Sequence, residues 1–396
     1  MTRLPVRGER YAYIIRGYEI MSFKAFICGT LLVLSSFVSV SAMAPVGYAT
    51  EEFSFGSAGA SLNGIISRPE NGEATSTVII VHGYGPTNVV EGDWFRQIRS
   101  KFTAKGISVL VWDKPGCGKS EGEFDINQPI ESSAEELVAA VSALKKKREP
   151  GSDRIGLIGF SRAGWIAPLA ISREPGIKFW ISVSGTDAFE NWGYLLRSNL
   201  ELEDYSPSEI DTVYEEWING NLIFNSGGSY EKYLSSSRTY RKNEMVQKLS
   251  GQQYVEHKPG SSEYESAQKL YLKNQKNYMS EGHSFDDESG LPIVVSNFDQ
   301  TLKSVSIPVL AIFGENDRNV DWRKTKKLYE STIGAKENSD LSVKIFENAD
   351  HNIRMTKTGG YLEVQNKDYW KVPYATGYYE AMVEWLCSNG FCSDTL

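Results

Sequence analysis

The feature that most constrains how this chain folds is an apolar run that ends in a serine and continues as a helical pattern. Residues 155–160 read IGLIGF, a composition suited to a strand that is buried on both faces. Ser161 follows, with the small residues Gly159 and Ala163 two positions away on either side, and a helical pattern covers 162–173. A chain that passes from strand to helix through one serine turns sharply, which is the setting of a nucleophile elbow. The string G-x-S-x-A alone is a weak indicator, because it also occurs in ordinary turns.

Strand and helix patterns alternate on both sides of this stretch. They follow one another as strand 77–82, helix 92–105, strand 107–113, helix 132–147, strand 155–160, helix 162–173 and strand 178–184. The rhythm resumes with strand 307–314, helix 322–333, strand 341–347 and helix 378–386. Residues 52–68 add two strands of an antiparallel lead-in hairpin. Such alternation predicts an α/β fold with a mostly parallel sheet and helices on both of its faces.

The stretch from 187 to 303 breaks this rhythm. Ser206 and Glu209 form a capping box, and apolar or aromatic residues follow it at helical spacing. Apart from the short run 291–295, no buried-strand pattern interrupts the region. We therefore predict a helical cap at 187–303, inserted into a core formed by 50–186 and 304–396. A second capping box, at Ser132 or Ser133 with a glutamate three residues later, predicts the start of the helix before the elbow strand.

The N-terminus has the pattern of a secretory signal peptide. From Met21 the sequence has one lysine, an apolar run and then small residues, so we predict a signal peptide at 1–42, with cleavage as late as residue 49. The alternative is an uncleaved membrane anchor. Residues 1–20 are either a long basic leader or an upstream mis-start, with Met21 the true beginning. The signal predicts an exported protein, periplasmic or secreted.

Export permits disulfides. Cys387 and Cys392 bracket a turn-forming Ser-Asn-Gly-Phe stretch, so we expect them to be bonded, which leaves Cys117 as the odd thiol of the chain after signal cleavage. The net charge of −8, without a basic cluster that follows an aromatic pattern, excludes nucleic acid as a likely class of partner. After signal cleavage we expect no stable membrane partner. The sequence leaves the oligomeric state open.

The candidate catalytic base is one of four histidines. A serine hydroxyl needs a base to take its proton, and that base needs a carboxylate to orient it. His351 follows a predicted strand, in a loop at the strand's carboxyl end, and is the predicted base. His82 ends an apolar strand and is interpreted as a structural residue. His257 and His283 lie in polar stretches of the cap, where the acidic run at 286–288 indicates metal binding only faintly.

The candidate acid follows the strand before the histidine strand. Asp317 lies in the turn after 307–314, which gives the chain order Ser161, Asp317, His351. Asp187, just past the strand after the elbow, stays open as a competing acid, and Asp321 is a remote third candidate. The predicted oxyanion hole consists of two backbone N–H groups, those of Arg162 and of Tyr84. The Arg162 side chain points either into the substrate pocket, where it would bind an acidic substrate, or along the helix.

Taken together, these motifs resemble the α/β-hydrolase superfamily over residues 60–390. The matching residues are His82-Gly83, Asp113-x-x-Gly116-x-Gly118-x-Ser120, Gly159-x-Ser161-x-Ala163-Gly164, Gly314-x-x-Asp317 and Asp350-His351. The helical insertion is similar to that of lidded hydrolases grouped with serine aminopeptidases and acyl esterases. Ala163 departs from the glycine that usually occupies its position.

The resemblance implies a Ser-Asp-His hydrolase that acts on a small-molecule ester or a short peptide, with no cofactor and no metal. The first hypothesis is an exported carboxylesterase that works through an acyl-enzyme. A peptidase, aminopeptidase or thioesterase using the same triad is the alternative. A ligand-binding protein without activity is the alternative of another class.

Overall fold

The computed structural model describes residues 47–70, 72–280, 284–286, 291–337 and 339–393. The predicted signal peptide, the question of the starting methionine and His283 lie outside these residues. The first described strand begins at Tyr48, so cleavage after residue 49 would remove the first two residues of that strand.

The strands, in chain order, are β1 Tyr48–Ser57, β2 Ala60–Pro69, β3 Ser76–Val81, β4 Ile107–Trp112, β5 Ile155–Phe160, β6 Ile177–Val183, β7 Ser284–Phe285, β8 Pro292–Ile293, β9 Val309–Gly314 and β10 Leu341–Phe346. Within the described residues, the main sheet has eight strands in the order β1-β2-β4-β3-β5-β6-β9-β10. β1 and β2 pair antiparallel, as do β2 and β4, and the remaining neighbours are parallel. This confirms the predicted lead-in hairpin and mostly parallel sheet. β5 lies inside the sheet, between β3 and β6, which places its carboxyl end at the middle of one edge.

The helices are α1 Arg96–Thr103, α2 Ile130–Lys147, α3 Ala163–Arg173, α4 Trp192–Leu202, α5 Pro207–Asn225, α6 Tyr230–Ser236, α7 Arg238–Lys242, α8 Glu244–Ser250, α9 Ser262–Ser280, α10 Phe298–Ser304, α11 Trp322–Thr332, α12 Tyr361–Val364 and α13 Tyr378–Ser388. α2, α3, α10 and α11 pack on one face of the sheet, while α1 and α13 pack on the other. No helix in the described ranges is long and apolar enough to cross a bilayer.

Burial on both faces of the sheet explains why the central strands are continuously apolar. All six residues of β3 are buried, as are the first five of β5. Because side chains alternate along a strand, Leu157 joins the cluster under α2 and α3, whereas Ile158 joins the cluster under α1 and α13. The two clusters hold the sheet rigidly between helical layers, and functional loops at its edge are therefore anchored on a fixed frame.

The insertion between β6 and β9 has a hydrophobic cluster of its own. This third cluster is built from α4, α5 and α8 and includes Trp192, Leu196 and Trp217. The end of the insertion packs on the sheet instead. Phe298 and Leu302 of α10 are buried in the hydrophobic cluster under α2 and α3. Side chains before residue 303 thus already belong to the core.

The two capping predictions had opposite outcomes. The capping box of α5 is confirmed, since the Glu209 N–H donates to Ser206 Oγ at 3.3 Å and the Ser206 N–H donates to Glu209 Oε2 at 2.8 Å. The box predicted at Ser132 or Ser133 is wrong, because α2 begins at Ile130 without a side-chain cap. Ser133 is buried inside the helix, where its hydroxyl accepts a hydrogen bond from Arg162 Nη1 at 3.1 Å instead.

The predicted disulfide between Cys387 and Cys392 is present at the end of α13. Cys117 is a free, buried cysteine, whose sulfur accepts a hydrogen bond from the Thr87 N–H at 3.4 Å.

Candidate active site

Ser161 occupies a strained turn at the carboxyl end of β5. Its φ of 52° lies in the left-handed region, which is unfavourable for a residue with a side chain. The turn is held on both sides: the Ser161 N–H donates to the Val183 carbonyl at 2.9 Å, and the Gly164 N–H donates to the Ser161 carbonyl at 2.7 Å. α3 starts two residues later, at Ala163. This is the strand–turn–helix geometry that the sequence predicted.

Close packing across the turn explains how alanine is accommodated at 163. A Cβ atom added at Gly159 would lie 3.0 Å from the Cβ of Ala163. The strand and the helix therefore have room for one methyl group at this contact. Glycine at 159 provides that room, so the departure at 163 leaves the turn intact.

His351 and Asp317 form a hydrogen-bonded pair near the same sheet edge. The distance from His351 Nδ1 to Asp317 Oδ2 is 2.8 Å, and the His351 side chain is 13% exposed while that of Asp317 is fully buried. Asp317 follows β9 and His351 follows β10, which are adjacent parallel strands. The second carboxylate oxygen, Oδ1, accepts the N–H groups of Asn319 at 2.8 Å and Val320 at 3.0 Å. These bonds fix the orientation of the carboxylate toward the imidazole.

The histidine loop is also tied to the strand next to the elbow. Ser184, directly after β6, donates from its hydroxyl to the His351 carbonyl at 2.8 Å. Four polar residues thus follow strands whose carboxyl ends meet at one edge of the sheet: Ser161, Ser184, Asp317 and His351. Open α/β sheets bind ligands at this edge. Because Nδ1 of His351 is engaged by Asp317, Nε2 is the ring nitrogen that can accept a proton from serine.

Two opposing effects set the pKa of His351. Burial of the ring lowers the pKa, but the charge of Asp317, the hydrogen bond to it and the charge of Asp350 together outweigh this effect. The pKa of His351 is therefore raised above its ordinary value. A base of raised pKa holds a transferred proton more firmly, which suits a histidine that must become charged during a reaction.

The two competing acids have other partners in the structure. Asp187 is buried, pairs with Lys324 Nζ at 2.8 Å and accepts the Phe189 N–H at 3.0 Å. Asp321 is the N-cap of α11. Of the three candidate acids, Asp317 is the one that the structure pairs with His351.

The loop that begins at His82 passes directly beside the elbow. A Cβ atom added at Gly83 would lie 3.2 Å from the Phe160 carbonyl oxygen and 3.5 Å from Ser161 Cβ, so the backbone approaches closely. Tyr84 follows, with its side chain 40% exposed. His82 is buried and its Nε2–H donates to the Trp112 carbonyl at 2.6 Å. Burial, aided by the charge of Lys114, lowers the pKa of His82 to about 3, so the ring is neutral and structural, as the sequence indicated.

Sequence reasoning missed Lys114, which clamps this loop. Its Nζ donates to the Gly83 carbonyl at 2.6 Å and to the Gly85 carbonyl at 2.8 Å. The carbonyl of Gly83 belongs to the same peptide group as the Tyr84 N–H, and the two point in opposite directions. The lysine therefore orients the Tyr84 N–H. The one available signal was a charged residue beside Asp113 in a turn-rich loop, which does not reveal this contact.

The Arg162 side chain is directed to α2 and the segment before it. Its Nη1 donates to Ser133 Oγ at 3.1 Å, and its Nη2 donates to the Gln128 carbonyl. The guanidinium carbon lies 5.4 Å from the centre of the Tyr84 ring. The side chain is thus an anchor that ties the elbow to α2 and contacts the Tyr84 loop, whereas its N–H belongs to the elbow backbone.

Among the described residues, no group of three or more His, Cys, Asp or Glu side chains forms a candidate metal site. His257 lies in the insertion, far along the chain from the paired His351.

Comparisons with known proteins agree with this architecture. A family model described as "X-Pro dipeptidyl-peptidase (S15 family)" matches residues 58–352. A "Thiohydrolase apmlB" from Arthrinium phaeospermum is 32% identical over 91 residues, which are 22% of this chain and 29% of that protein. This chain thus matches less than a third of that relative's length.

Solved structures resemble the chain only distantly. An esterase from Pyrococcus furiosus, Pf2001, has a TM-score of 0.48 at 16% identity, over 91% of this chain and 99% of that one. An acylaminoacyl peptidase from Pyrococcus horikoshii has a TM-score of 0.44 at 13% identity, over 86% of this chain and 41% of that one. The family match covers well over half of the chain and includes the elbow, Asp317 and His351. The chain therefore has an α/β fold and belongs to the S15 family of X-Pro dipeptidyl-peptidases.

Proposed function

We propose that the protein is an exported serine hydrolase that cleaves a carboxylic ester through an acyl-enzyme, with Ser161, Asp317 and His351 as its triad. The observation that carries the proposal is the 2.8 Å pair of His351 and Asp317 at the edge where the strained Ser161 turn ends β5. A serine in such a turn exposes its hydroxyl above the sheet, and a histidine oriented by a buried carboxylate is the base that it needs.

The reaction follows from these roles. Ser161 Oγ attacks the carbonyl carbon of the ester while His351 Nε2 takes the hydroxyl proton. The N–H groups of Arg162 and Tyr84 stabilise the oxyanion that develops. As the intermediate collapses, the bond to the alcohol breaks and His351 returns the proton to the leaving oxygen. Water then attacks the acyl-enzyme with His351 again as base, which releases the acid and restores the serine.

Peptide hydrolysis is the second candidate. The same triad serves both bond types, and the family name favours a peptidase that acts after an X-Pro pair. An amide has a poorer leaving group than an ester, so a peptidase must hold the substrate nitrogen in position for protonation. The residues that would position the substrate nitrogen belong to the insertion. The role of the insertion as a cap over the active site is part of the proposal.

The proposal of export rests on the N-terminal pattern. The Cys387–Cys392 disulfide supports it, because such bonds persist in oxidising compartments. Recovery of a chain shortened by about forty residues from the periplasm or medium would test it, and full-length protein found only in the cytoplasm would contradict it.

The activity is tested by labelling and by a substrate panel. A fluorophosphonate probe should label the folded protein, and Ser161→Ala should abolish labelling. Ser172→Ala, on exposed surface of the helix after the elbow, is the matched control and should label normally. A folded wild-type protein that does not label would favour the ligand-binding alternative.

The panel then separates bond types. p-Nitrophenyl esters of graded chain length should be hydrolysed faster than aminoacyl and X-Pro p-nitroanilides. If an X-Pro anilide has the highest kcat/KM, the protein is a peptidase and the ester proposal is wrong. If thioesters exceed oxygen esters of the same acyl chain, the thioesterase alternative replaces it.

A further inference from the structure

A cavity of about 400 Å³ lies inside the helical insertion, apart from the candidate active site. Its walls come from α4 to α9 and, in the part of the chain that the structure describes, do not include Ser161, Asp317, His351 or Tyr84. The volume falls in the range of small-ligand pockets, roughly 300–1,000 Å³.

Eight of the 24 residues that line the cavity are phenylalanine, tryptophan or tyrosine. Trp192, Trp217 and Tyr271 are each more than nine-tenths buried. The ring of Tyr271 lies 5.3 Å from that of Phe224 in an edge-to-face arrangement. Polar ends of the wall residues are directed to other protein groups: Tyr271 OH donates to the Gly228 carbonyl at 3.0 Å, and Trp192 Nε1 donates to a tyrosine hydroxyl at 3.1 Å. The wall therefore offers ring faces and edges, to which a flat aromatic group packs well.

One positive charge stands in this aromatic wall. The Arg241 guanidinium lies 5.8 Å from the ring centre of Tyr233 and 5.0 Å from that of Tyr254, and its Nη2 donates to the Leu234 carbonyl at 3.0 Å. Its Nε is buried and has no hydrogen-bond partner among the described residues. Nδ2 of Asn221, another lining residue, is likewise buried without a partner in the described ranges. Both atoms are covered by neighbouring protein atoms, so a ligand in the cavity would meet the guanidinium at its other nitrogens.

The carboxylates near Arg241 are hydrogen-bonded or paired with other groups at shorter range. Glu256 is shared between Lys242, at 3.1 Å, and Arg238, at 3.8 Å. Glu216, which lines the cavity, accepts the Tyr240 N–H at 2.8 Å. Within the described residues Arg241 makes no ion pair within 4.0 Å, although its charge attracts the more distant Glu256 carboxylate.

We propose that this cavity is a binding site for an aromatic carboxylate, with the ring among the tryptophans and tyrosines and the carboxylate against Arg241. A carboxylate can pair with the Arg241 guanidinium, which lines the cavity, and hydrogen bonds between two charged groups are about twice as strong as neutral ones. The site is independent of the proposed hydrolysis, because its residues are not those of the triad.

Isothermal titration of the full chain with 4-phenylbutanoate, beside the neutral 4-phenylbutan-1-ol, tests the proposal. Both probes have the same ring and chain, so the difference in Kd reports the carboxylate. We expect saturable binding of the carboxylate, at least tenfold tighter than that of the alcohol. Equal affinities, or no saturable binding of the carboxylate, would overturn the proposal.

Variants locate the site. Arg241→Met should remove the preference for the carboxylate, whereas Arg238→Met, in the same helix and exposed, should keep it. Ala267→Phe fills the cavity while Arg241 stays, and should abolish binding of both probes. If Arg241→Met does not fold, as shown by a thermal melt, Ala267→Phe decides alone. Unchanged binding in Ala267→Phe would place the site elsewhere and refute the proposal.

Discussion

Lys114→Met should disable the loop that begins at His82 and carries the proposed oxyanion donor of Tyr84. It should do so without leaving a cavity in the core. The change keeps an unbranched apolar stem and removes the ammonium that binds the carbonyls of Gly83 and Gly85 at 2.6 and 2.8 Å. The peptide between Gly83 and Tyr84 then loses the group that fixes its orientation. The expected effect is on the chemical step, because the oxyanion exists only after the serine has attacked.

The magnitude follows from the contacts. A hydrogen bond from a charged group contributes about 1.5–3 kcal/mol, and loss of one oxyanion donor lowers kcat by about 10²–10³. The loop retains two other restraints, the His82 bond to the Trp112 carbonyl and the close contact of Gly83 with Phe160. We therefore expect a fall of about 10² in kcat, the lower end of that range, with KM changed little.

The pH dependence adds a second readout. Burial, followed by the charge of Arg162, lowers the pKa of Lys114 to about 7 from an ordinary value of 10.5, while Cys117 and Glu136 act in the opposite direction. As pH rises through about 7 the ammonium loses its charge, and its bonds to the carbonyls weaken. The wild-type enzyme should therefore lose kcat on the alkaline side, and Lys114→Met should lack this decline.

The assay is steady-state hydrolysis of a p-nitrophenyl ester between pH 5 and 10, with thermal melts of each variant. Lys114→Arg keeps a charge at every pH and should retain more activity than Lys114→Met at high pH. Lys119→Met, in the same loop but exposed and paired with Glu52, is the matched control. A Lys114→Met enzyme with wild-type kcat, or with an unchanged alkaline limb, would refute the role of Lys114.

Three further predictions concern the acid, the disulfide and a helix cap. Asp317→Asn should lower kcat by about 10⁴, because the amide would hold the wrong imidazole tautomer; if Asp187→Asn is the more damaging change, the acid is misassigned. Alkylation of the unfolded chain should add two more groups after reduction than before it, and equal numbers would show that Cys387 and Cys392 are not bonded. Ser206→Ala should lower the free energy of unfolding by about 1 kcal/mol, and an unchanged urea midpoint would show that the cap contributes nothing.

Features of the fold were predicted well from the sequence where the contacts that determine them are close in the chain. The sheet class follows from buried apolar runs that alternate with helices, and the turn at Ser161 follows from its small neighbours. The same rule explains the two capping boxes. Ser206 is exposed and free to cap its own helix, whereas Ser133 is buried and its hydroxyl binds Arg162 from another helix. A capping pattern therefore predicts a helix start reliably only where no tertiary partner competes for the hydroxyl.

The choice among the candidate acids could not be made from local sequence patterns. Asp187 and Asp317 both follow buried strands, β6 and β9, and no local pattern separates them. The order of strands decides, because β10, which carries His351, pairs with β9 and not with β6. The partner of Asp187 is Lys324, which lies on the helix after β9. Strand order is set by the packing of whole layers. A single sequence could therefore rank the candidate acids but could not decide which of them pairs with His351.

At Arg162 the elbow sets the position of the backbone N–H, whereas the neighbouring elements set the direction of the side chain. The position of its N–H follows from the turn, since Arg162 lies between Ser161 and the first residue of α3. The direction of its side chain depends on which acceptors lie nearby, and these are the Gln128 carbonyl and Ser133, both brought there by α2. The guanidinium thus ties α2 to the elbow and contacts the ring of Tyr84, the residue that carries the other proposed oxyanion donor. One side chain thereby links both halves of the proposed oxyanion hole, so its loss should disturb neutral and anionic substrates alike.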